Sequence, residues 1–454
     1  RWQCTHGVQT GRIMLTDYDF ERPSTSLRTQ KTHVRAHEQA DLEQFDYPGE
    51  YVRLGEGEQY ADTRLDEQQA QHVTITAATN AQGLQDGHRF TLQRRPRDDQ
   101  NAEYLVVATQ THVHLDAYEA GSSGGSEVKS EFSAIPYGQQ FRPPRLTPKP
   151  FVQGPQTAVV VGPAGEEIHT DKYGRVKVQF HWDRYGQKDE HSSCWIRVSH
   201  PWAGKNWGAV SIPRIGQEVV VSFLEGDPDQ PLITGRVYNA EQMPPYGLPA
   251  GAVVSGIKSN THKGRGYNEF SMDDTAGKEK ITVHAQHDMN TTVEHDQTNT
   301  VRNTFTETIK SHAAITITEG TYRHDVKANT ANYHVQGALT ETYDTTQTTT
   351  VKNDITVQST SGPILVQAHG NQVHVEAATN IVLHVGASRL SMDAAGNIEL
   401  SGVNVAIRGT AAVGIHGGVV SSEADTTHQT KGAIVLSEGA ATNTVKGGMV
   451  MLNP

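Results

Sequence analysis

Apolar positions along the chain fall into three regimes. Up to about residue 150, short alternating runs such as HVTITA (residues 72–77) and YLVVATQTHVHL (104–115) predict half-buried strands separated by turn-rich connections. Residues 61–71, carrying Asp62, Arg64, Asp66 and Glu67, predict one helix, and GSSGGSE (121–127) predicts a flexible loop. The proline-rich run FRPPRLTPKP (141–150) disfavours regular ladders and predicts an extended connector. Residues 151–248 are denser in β-branched runs: TAVVVG, RVKVQFHW, CWIRVSH, WGAVSI, EVVVSFL and LITGRVY. Turns of Gly, Pro and Asp divide these runs, with no helical period between them. That spacing predicts a small barrel or sandwich, and an OB-like barrel is the natural size match.

From about residue 250 the pattern changes again. Threonine supplies about a quarter of residues 281–360, and apolar residues become sparse but regular. Counting by eights from Val293 gives Val293, Val301, Ile309 and Ile317, and the same frame later meets Tyr333, Val357, Leu365, Val373 and Ile381. Asp325, Glu341 and Thr349 break it. A period of eight fits neither a helix nor an amphipathic strand, but it does fit a solenoid with one core residue per short strand. One such residue cannot offset the ordering entropy of eight in a single chain. Three chains wound about a common axis can, and they leave no long strand edge exposed. At one strand spacing per octad, such a prism would be roughly 75 Å long. Near VAIRGTAAVGIHGG the octads fade, so Ile415, Gly417 and Gly418 are expected to close the prism.

Composition supports this picture. Hydrophobic residues make up 35% of the 454 residues and mean hydropathy is −0.56, too little apolar surface for a compact globule of this length. A net charge of −12 disfavours non-specific nucleic-acid binding, which is driven by phosphate neutralisation. Cys4 and Cys194 form no disulfide framework and fit assembly in a reducing cytoplasm. The opening RWQCTHGVQTGR has no apolar run for a signal peptide, so export is expected to proceed without one.

Two long strings carry a resemblance: GPQTAVVVGPAGEEIHTDKYGRVKVQFHWDRYGQKDEHSSCWIRVSHPWAG and WGAVSIPRIGQEVVVSFLEGDPDQPLITGRVYN. Together with TDYDFERPS (16–24), FDYPGEY (45–51) and the connector, they resemble the VgrG spikes of type VI secretion systems. The resemblance implies a mainly β chain: a partial phage-tail-hub-like domain (1–150), an OB-fold (151–248), a triple-stranded β-helix needle (249–420) and a C-terminal tip or extension (421–454). It further implies a homotrimer that caps a tube of Hcp-type rings and is driven through a target-cell envelope. Its expected partners are a PAAR-repeat tip protein and effector or adaptor proteins. Family members usually carry more hub upstream of the point matched by Arg1.

Candidate chemistry changes little. HVH at His112 and His114 invites a metal, but alternating His on an exposed strand face is the ordinary reading. His284, His334, His374 and His384 lie irregularly in the octad zone, where solvent-facing placement is favoured. Neighbouring carboxylates (Glu166 with Glu167, Asp273 with Asp274) invite a glycosidase, yet adjacent strand residues point to opposite faces. Ser192, Ser193 and Cys194 beside His191 lack a nucleophile-elbow glycine pattern. Trp182, Trp195, Trp202 and Trp207 are assigned to core packing and trimer contacts. No catalytic, cofactor or metal site is expected, and Ile415, Gly417, Gly418, Val419 and Val420 are the expected partner-binding residues. The alternative is a phage-tail-like spike with glycan-degrading activity.

Overall fold

The computed structural model describes residues 1–115, 125 and 127–451. Most of the loop expected at 121–127 therefore lies outside the described residues. The chain divides into two units, Arg1–Phe305 and Thr306–Pro454.

The first unit opens with β1 (Trp2–His6), β2 (Arg12–Leu15), β3 (Thr29–Thr32), β4 (Glu43–Asp46) and the helix α1 (Leu54–Gln69). Next come β5 (Val73–Thr79), β6 (Arg89–Thr91), β7 (Glu103–His114) and β8 (Glu127–Pro136). They form a five-stranded sheet, β1-β5-β8-β7-β6, and a small sheet, β3-β2-β4, against which α1 packs. Alternation in the sequence becomes alternation of faces. Ile75, Ala77, Tyr104, Val106, Phe132 and Ala134 share one core, and Ile13, Leu15, Leu27, Tyr51, Ala61 and Leu65 share the other.

The helix begins seven residues before the expected start, in a stretch whose glycines read as breakers. Here they serve packing. A Cβ at Gly57 would lie 2.3 Å from Cε2 of Tyr51, so only glycine lets the helix close over that ring. The Tyr51 hydroxyl then donates to the Leu27 carbonyl.

Residues 156–237 form a closed five-stranded barrel. Its strands are β9 (Gln156–Val161), β10 (Lys177–Phe180), β11 (Arg197–Val198), β14 (Glu218–Phe223) and β15 (Pro231–Val237), in the order β10-β9-β14-β15-β11. A bridge between Val176 and Ile196 joins the two ends. Ala158, Val160, Val176, Val178, Ile196, Val219, Val221 and Ile233 fill it, each at most 1% exposed. A two-stranded ribbon, β12 (Trp202–Ala203) and β13 (Gly208–Ala209), projects from it. Of the two roles expected of the tryptophans, core packing and trimer contacts, the first does not hold for three of them. Trp202 and Trp207 meet edge to face on that ribbon at 5.2 Å, and with Trp182 they are more than half exposed.

The rest of the first unit holds an antiparallel meander of β16 (Val254–Lys258), β17 (Glu269–Asp273) and β18 (Lys280–His284). After it the backbone turns at residues 286–287, 294–295 and 302–303. In the second unit the turns continue at 310–311, 318–320, 328–329, 336–337, 344–345 and 352–353. Val293, Val301, Ile309 and Ile317 each stand immediately before a bend. The single eight-residue frame does not survive, however. The step from 318 to 328 carries two extra residues and includes left-handed residues at Gly320 and Asn329. Beyond it Val335, Tyr343 and Val351 hold the pre-bend position, two residues after the frame positions 333, 341 and 349, the last two of which (Glu341, Thr349) break the apolar pattern. Exposure agrees: Val335 and Val351 are 48% and 46% exposed, against 80% for Tyr333 and 71% for Val357.

A second meander follows: β19 (Asn380–Val385), β20 (Ser388–Asp393) and β21 (Ile398–Ser401). The bends then resume at 403–404, 410–411, 418–419, 425–426, 433–434, 440–441 and 448. The array therefore does not close at Ile415–Gly418. It continues as a fifteen-residue repeat, with Gly402, Gly417, Gly432 and Gly447 before alternate bends and Val405, Val420, Val435 and Val450 three residues later. Two further glycines, at the places that Ala424 takes between them in this repeat, sit against a neighbouring carbonyl. A Cβ at Gly409 would lie 2.3 Å from the Ala412 carbonyl oxygen, and one at Gly439 would lie 2.6 Å from that of Thr442.

Candidate functional site

The chain's most conspicuous chemistry is apolar surface on its repetitive half. In the first meander, cross-strand partners place Ile257, Phe270 and Val283 in one row and Met272 with Ile281 in the next, all on one face. Lys258, Glu269 and His284 lie on the other. Ile257 is 78% exposed and Ile281 is 66% exposed. Among the described residues, 285–379 form no strand and make no backbone–backbone hydrogen bond with another segment of this chain. Backbone amides in regular structure need partners, and this run provides itself with none from its own backbone.

A second feature is the strap that ties the N-terminal domain to the barrel. The connector at 141–150 is extended, as expected, but it is bound along its length. Gln139 donates to the Ala70 carbonyl at the end of α1 (2.6 Å), Arg142 pairs with Asp66 (3.3 Å) and the Arg145 amide donates to Glu67 (2.8 Å). Lys149 then bridges Glu50 of the N-terminal domain (3.3 Å) and Asp227 of the barrel (2.7 Å). On the far side of the same cleft, about 570 Å³ in volume, Arg175 holds Asp171 (2.7 Å), reaches Glu21 (3.8 Å) and lies over the Phe20 ring.

Burial pushes the carboxyls of Asp171 and Asp227 up, yet both lie below the usual value of 3.8. For Asp171 the Arg175 guanidinium and the amides of Arg175 and Tyr173 outweigh burial. For Asp227 the Lys149 ammonium and the Asp229 amide do so. A depressed folded-state pKa stabilises the fold above the unfolded value, and that stabilisation is lost as pH falls through the folded value. The melting temperature of the joined domains is therefore expected to be flat from neutrality to about pH 5 and to fall below about pH 4. A Lys149→Met variant, followed by calorimetry, is expected to show a shallower acid decline.

Other residues marked by the sequence take structural places. Lys263 draws both Glu166 (2.9 Å, through its ammonium) and Glu167 (3.1 Å, through its amide), so these carboxylates anchor a loop to the barrel. Asp273 caps its own turn by accepting from the amide and hydroxyl of Thr275. Ser193 accepts from the Val178 amide and donates to the Cys194 carbonyl, while Ser192 donates to Asp189. His112 and His114 stand opposite Lys129 and Glu127 on the exposed end of β7. His284 stacks on Tyr267 at 4.4 Å, and His334, His374 and His384 are exposed. Among the described residues no group of three His, Cys, Asp or Glu has metal-binding geometry. Among the described residues, no helix is long and apolar enough to cross a membrane. Ile415, Gly417, Gly418, Val419 and Val420 surround one bend and are all exposed, Val419 at 88%.

Comparison with known proteins agrees with this division of the chain. Residues 1–117 match the phage tail baseplate hub family and residues 156–238 match the type VI secretion system/phage-baseplate injector OB domain. Residues 255–362 match the bacteriophage T4 gp5 C-terminal trimerisation domain. Hub, OB barrel and trimerisation repeat in this order define a phage-tail-like spike protein. The type VI secretion system spike protein VgrG1b of Pseudomonas aeruginosa is 54% identical over 297 residues, covering 64% of this chain and 40% of that protein. The actin cross-linking toxin VgrG1 of Vibrio cholerae is 42% identical over 290 residues, covering 63% and 26%. Among solved structures, an E. coli type VI component described as similar to T4 tail proteins gp27 and gp5 covers 49% of this chain and 56% of its own. It does so at 19% identity with a TM-score of 0.29. The chain is therefore similar to VgrG spike proteins of type VI secretion systems over about 64% of its length, and it spans less than half the length of these curated relatives.

Proposed function

We propose that three copies of this chain form the spike of a type VI secretion system, a non-enzymatic needle that caps an Hcp-type tube and delivers effectors. One observation carries the reading: apolar residues recur before successive bends in a run (285–379) that, among the described residues, makes no backbone–backbone hydrogen bond within its own chain, and most of that run lies in a segment matching a trimerisation domain. Supercoiling three such chains pairs the backbones and buries those residues on the axis. The proposed organisation is hub at 1–150, OB barrel at 151–248 and needle from 249, with 421–454, where the bends continue, as its extension. Tension or compression between hub and barrel passes through Lys149 and Arg175. Assembly takes place in the bacterial cytoplasm, and export follows sheath contraction with no signal peptide. Exposed apolar atoms around Ile415, Gly417, Gly418, Val419 and Val420 offer a docking surface for a PAAR-repeat tip protein, an effector or an adaptor.

The test is the absolute mass of the purified chain by light scattering, with a PAAR-repeat protein added afterwards as bait. Three chains per particle are expected. A particle of one chain at micromolar concentration overturns the reading. The Val419→Asp variant is expected to keep that mass and bind the bait at least tenfold more weakly, and unchanged binding removes the tip assignment.

A further inference from the structure

A cluster of ionisable side chains lies in the N-terminal domain, apart from the strap and the repeats. The end of β1 supplies His6, the segment between β3 and β4 supplies Arg35 and His37, and the turn after α1 supplies His72. Together they line a cavity of about 510 Å³, and no carboxylate lines it with them. The His37 and His72 rings stack at 5.1 Å, and His6 meets His72 edge to face at 6.2 Å. Backbone contacts fix these positions. Gly7 and His72 are bonded twice: the Gly7 amide donates to the His72 carbonyl (2.8 Å) and His72 Nδ1 donates to the Gly7 carbonyl (2.7 Å). A Cβ at Gly11 would lie 1.8 Å from the Ala40 carbonyl oxygen, so the segment carrying Arg35 and His37 lies directly on the chain before β2. Arg35 Nε donates to the Gln69 side chain, whose own amide donates to the Thr10 carbonyl (2.7 Å).

These bonds decide what the cavity can hold. His37 donates from Nδ1 to the Glu38 carbonyl (2.8 Å), as His72 does to Gly7, so in both neutral rings the lone pair stands on Nε2. Nε2 of His37 is buried and has no hydrogen-bond partner, which is costly unless a ligand supplies one. Arg35 has no carboxylate partner among the described residues. The negative groups nearby are engaged or turned to solvent: Asp99 pairs with Arg97 (2.6 Å), and Glu38 is exposed. Cys4 Sγ lies 3.5 Å from His6 Nε2. Burial first, and then the charges of Arg35, His37 and His6, hold His72 below its usual value of 6.5 against the pull of the Gly7 carbonyl. A cation beside the guanidinium would be repelled. An anion there raises the affinity of the rings for protons, and each proton taken up on Nε2 becomes a charge-assisted donor. Two stacked donors beside the remaining fork of Arg35, in a cavity far larger than a carboxylate, match a dianion.

We propose that the cavity between β1, the 33–40 segment and the end of α1 binds a tetrahedral oxyanion, a phosphate or sulfate group, together with protons. Arg35, His37 and His72 hold the anion, and the exposed His6 stands at the mouth. All four side chains come from one chain, so the site is independent of the number of chains in the particle.

The test is isothermal titration calorimetry of the full chain with sulfate, which stays dianionic from about pH 6 to pH 8, in two buffers of unequal ionisation heat. Binding with proton uptake is expected near pH 6, with affinity at least tenfold lower near pH 8. His37→Gln is expected to weaken binding near pH 6 at least tenfold, with the melting temperature in anion-free buffer checking that the fold is intact. Arg35→Lys, which keeps the charge and loses the fork, is the second variant in case residue 37 perturbs folding, and the same loss is expected of it. Sulfate binding that is indifferent to pH, or that survives both substitutions, overturns the proposal. So does millimolar sulfate that gives neither heat nor a rise in melting temperature near pH 6. Inorganic phosphate and glycerol phosphate then identify the source: tighter binding of the ester assigns the site to a phosphate carried on a larger molecule, and tighter binding of the inorganic ion assigns it to the free anion.

Discussion

Replacing Val178 by Asp is expected to abolish the folded barrel. Val178 is fully buried, pairs with Val160 in the ladder between β10 and β9, and packs in the cluster that closes the sheet. Its amide donates to the Ser193 hydroxyl, so the position also anchors the loop that returns to β11. A carboxylate there loses the burial of the valine, about 1.5–3 kcal/mol. It also leaves a charge without a partner, at a cost of several kcal/mol after relaxation. The sum rivals the whole stability of a typical domain, about 5–15 kcal/mol. The expected result is insoluble or protease-sensitive protein, with the near-ultraviolet signal of the barrel tryptophans lost. Val178→Ala sets the scale, and a loss of about 2 kcal/mol in denaturant titration is expected for it. A soluble Val178→Asp with an unchanged melting temperature would show that the barrel is not closed around this cluster.

The sequence made the barrel legible because its physics is local. In RVKVQF apolar residues alternate with polar ones, and EVVVSF is an unbroken β-branched run, so period in the first and propensity in both mark the strands found at β10 and β14. The helix start was hidden because Gly55 and Gly57 carry low helix propensity, and the need for glycine at 57 comes from the Tyr51 ring packed against it, a contact that propensity does not register. The tryptophans misled for a related reason. Their size suggests a core, but the barrel is already filled by valines and isoleucines, and Trp182, Trp202 and Trp207 remain outside it. In the repetitive half, a fixed frame of eight found the period and missed the slip at 318–328, which only the bends reveal. The signal for the second meander was present as Ser391-Met392-Asp393, which repeats Ser271-Met272-Asp273 of the first. Three residues are too few to weigh until both sheets are seen. Partner choice at Ile415–Val420 is less legible still, since an exposed bend of Gly and Val carries little information about its ligand.

The slip bears on the last and largest expected effect, Ile309→Asp. Ile309 stands directly before the bend at 310–311, in the part of the array ahead of the slip, where Val293, Val301 and Ile317 hold the same position. One substitution in the gene becomes three in the trimer, all at one level of the axis. The loss of apolar burial is about 2 kcal/mol per chain, or about 6 kcal/mol per particle. Three carboxylates brought together also cannot all ionise, so protons must be taken up or the level must open. Trimer mass is therefore expected to be lost at neutral pH and partly recovered near pH 4, where the carboxyls are neutral. Thr306→Asp, three residues away and not before a bend, is expected to leave the mass unchanged. Equal behaviour of the two variants would mean that the pre-bend residues do not line the axis. Selective loss with acid rescue would assign the axis to Val293, Val301, Ile309 and Ile317, and then, across the slip, to Val335, Tyr343 and Val351.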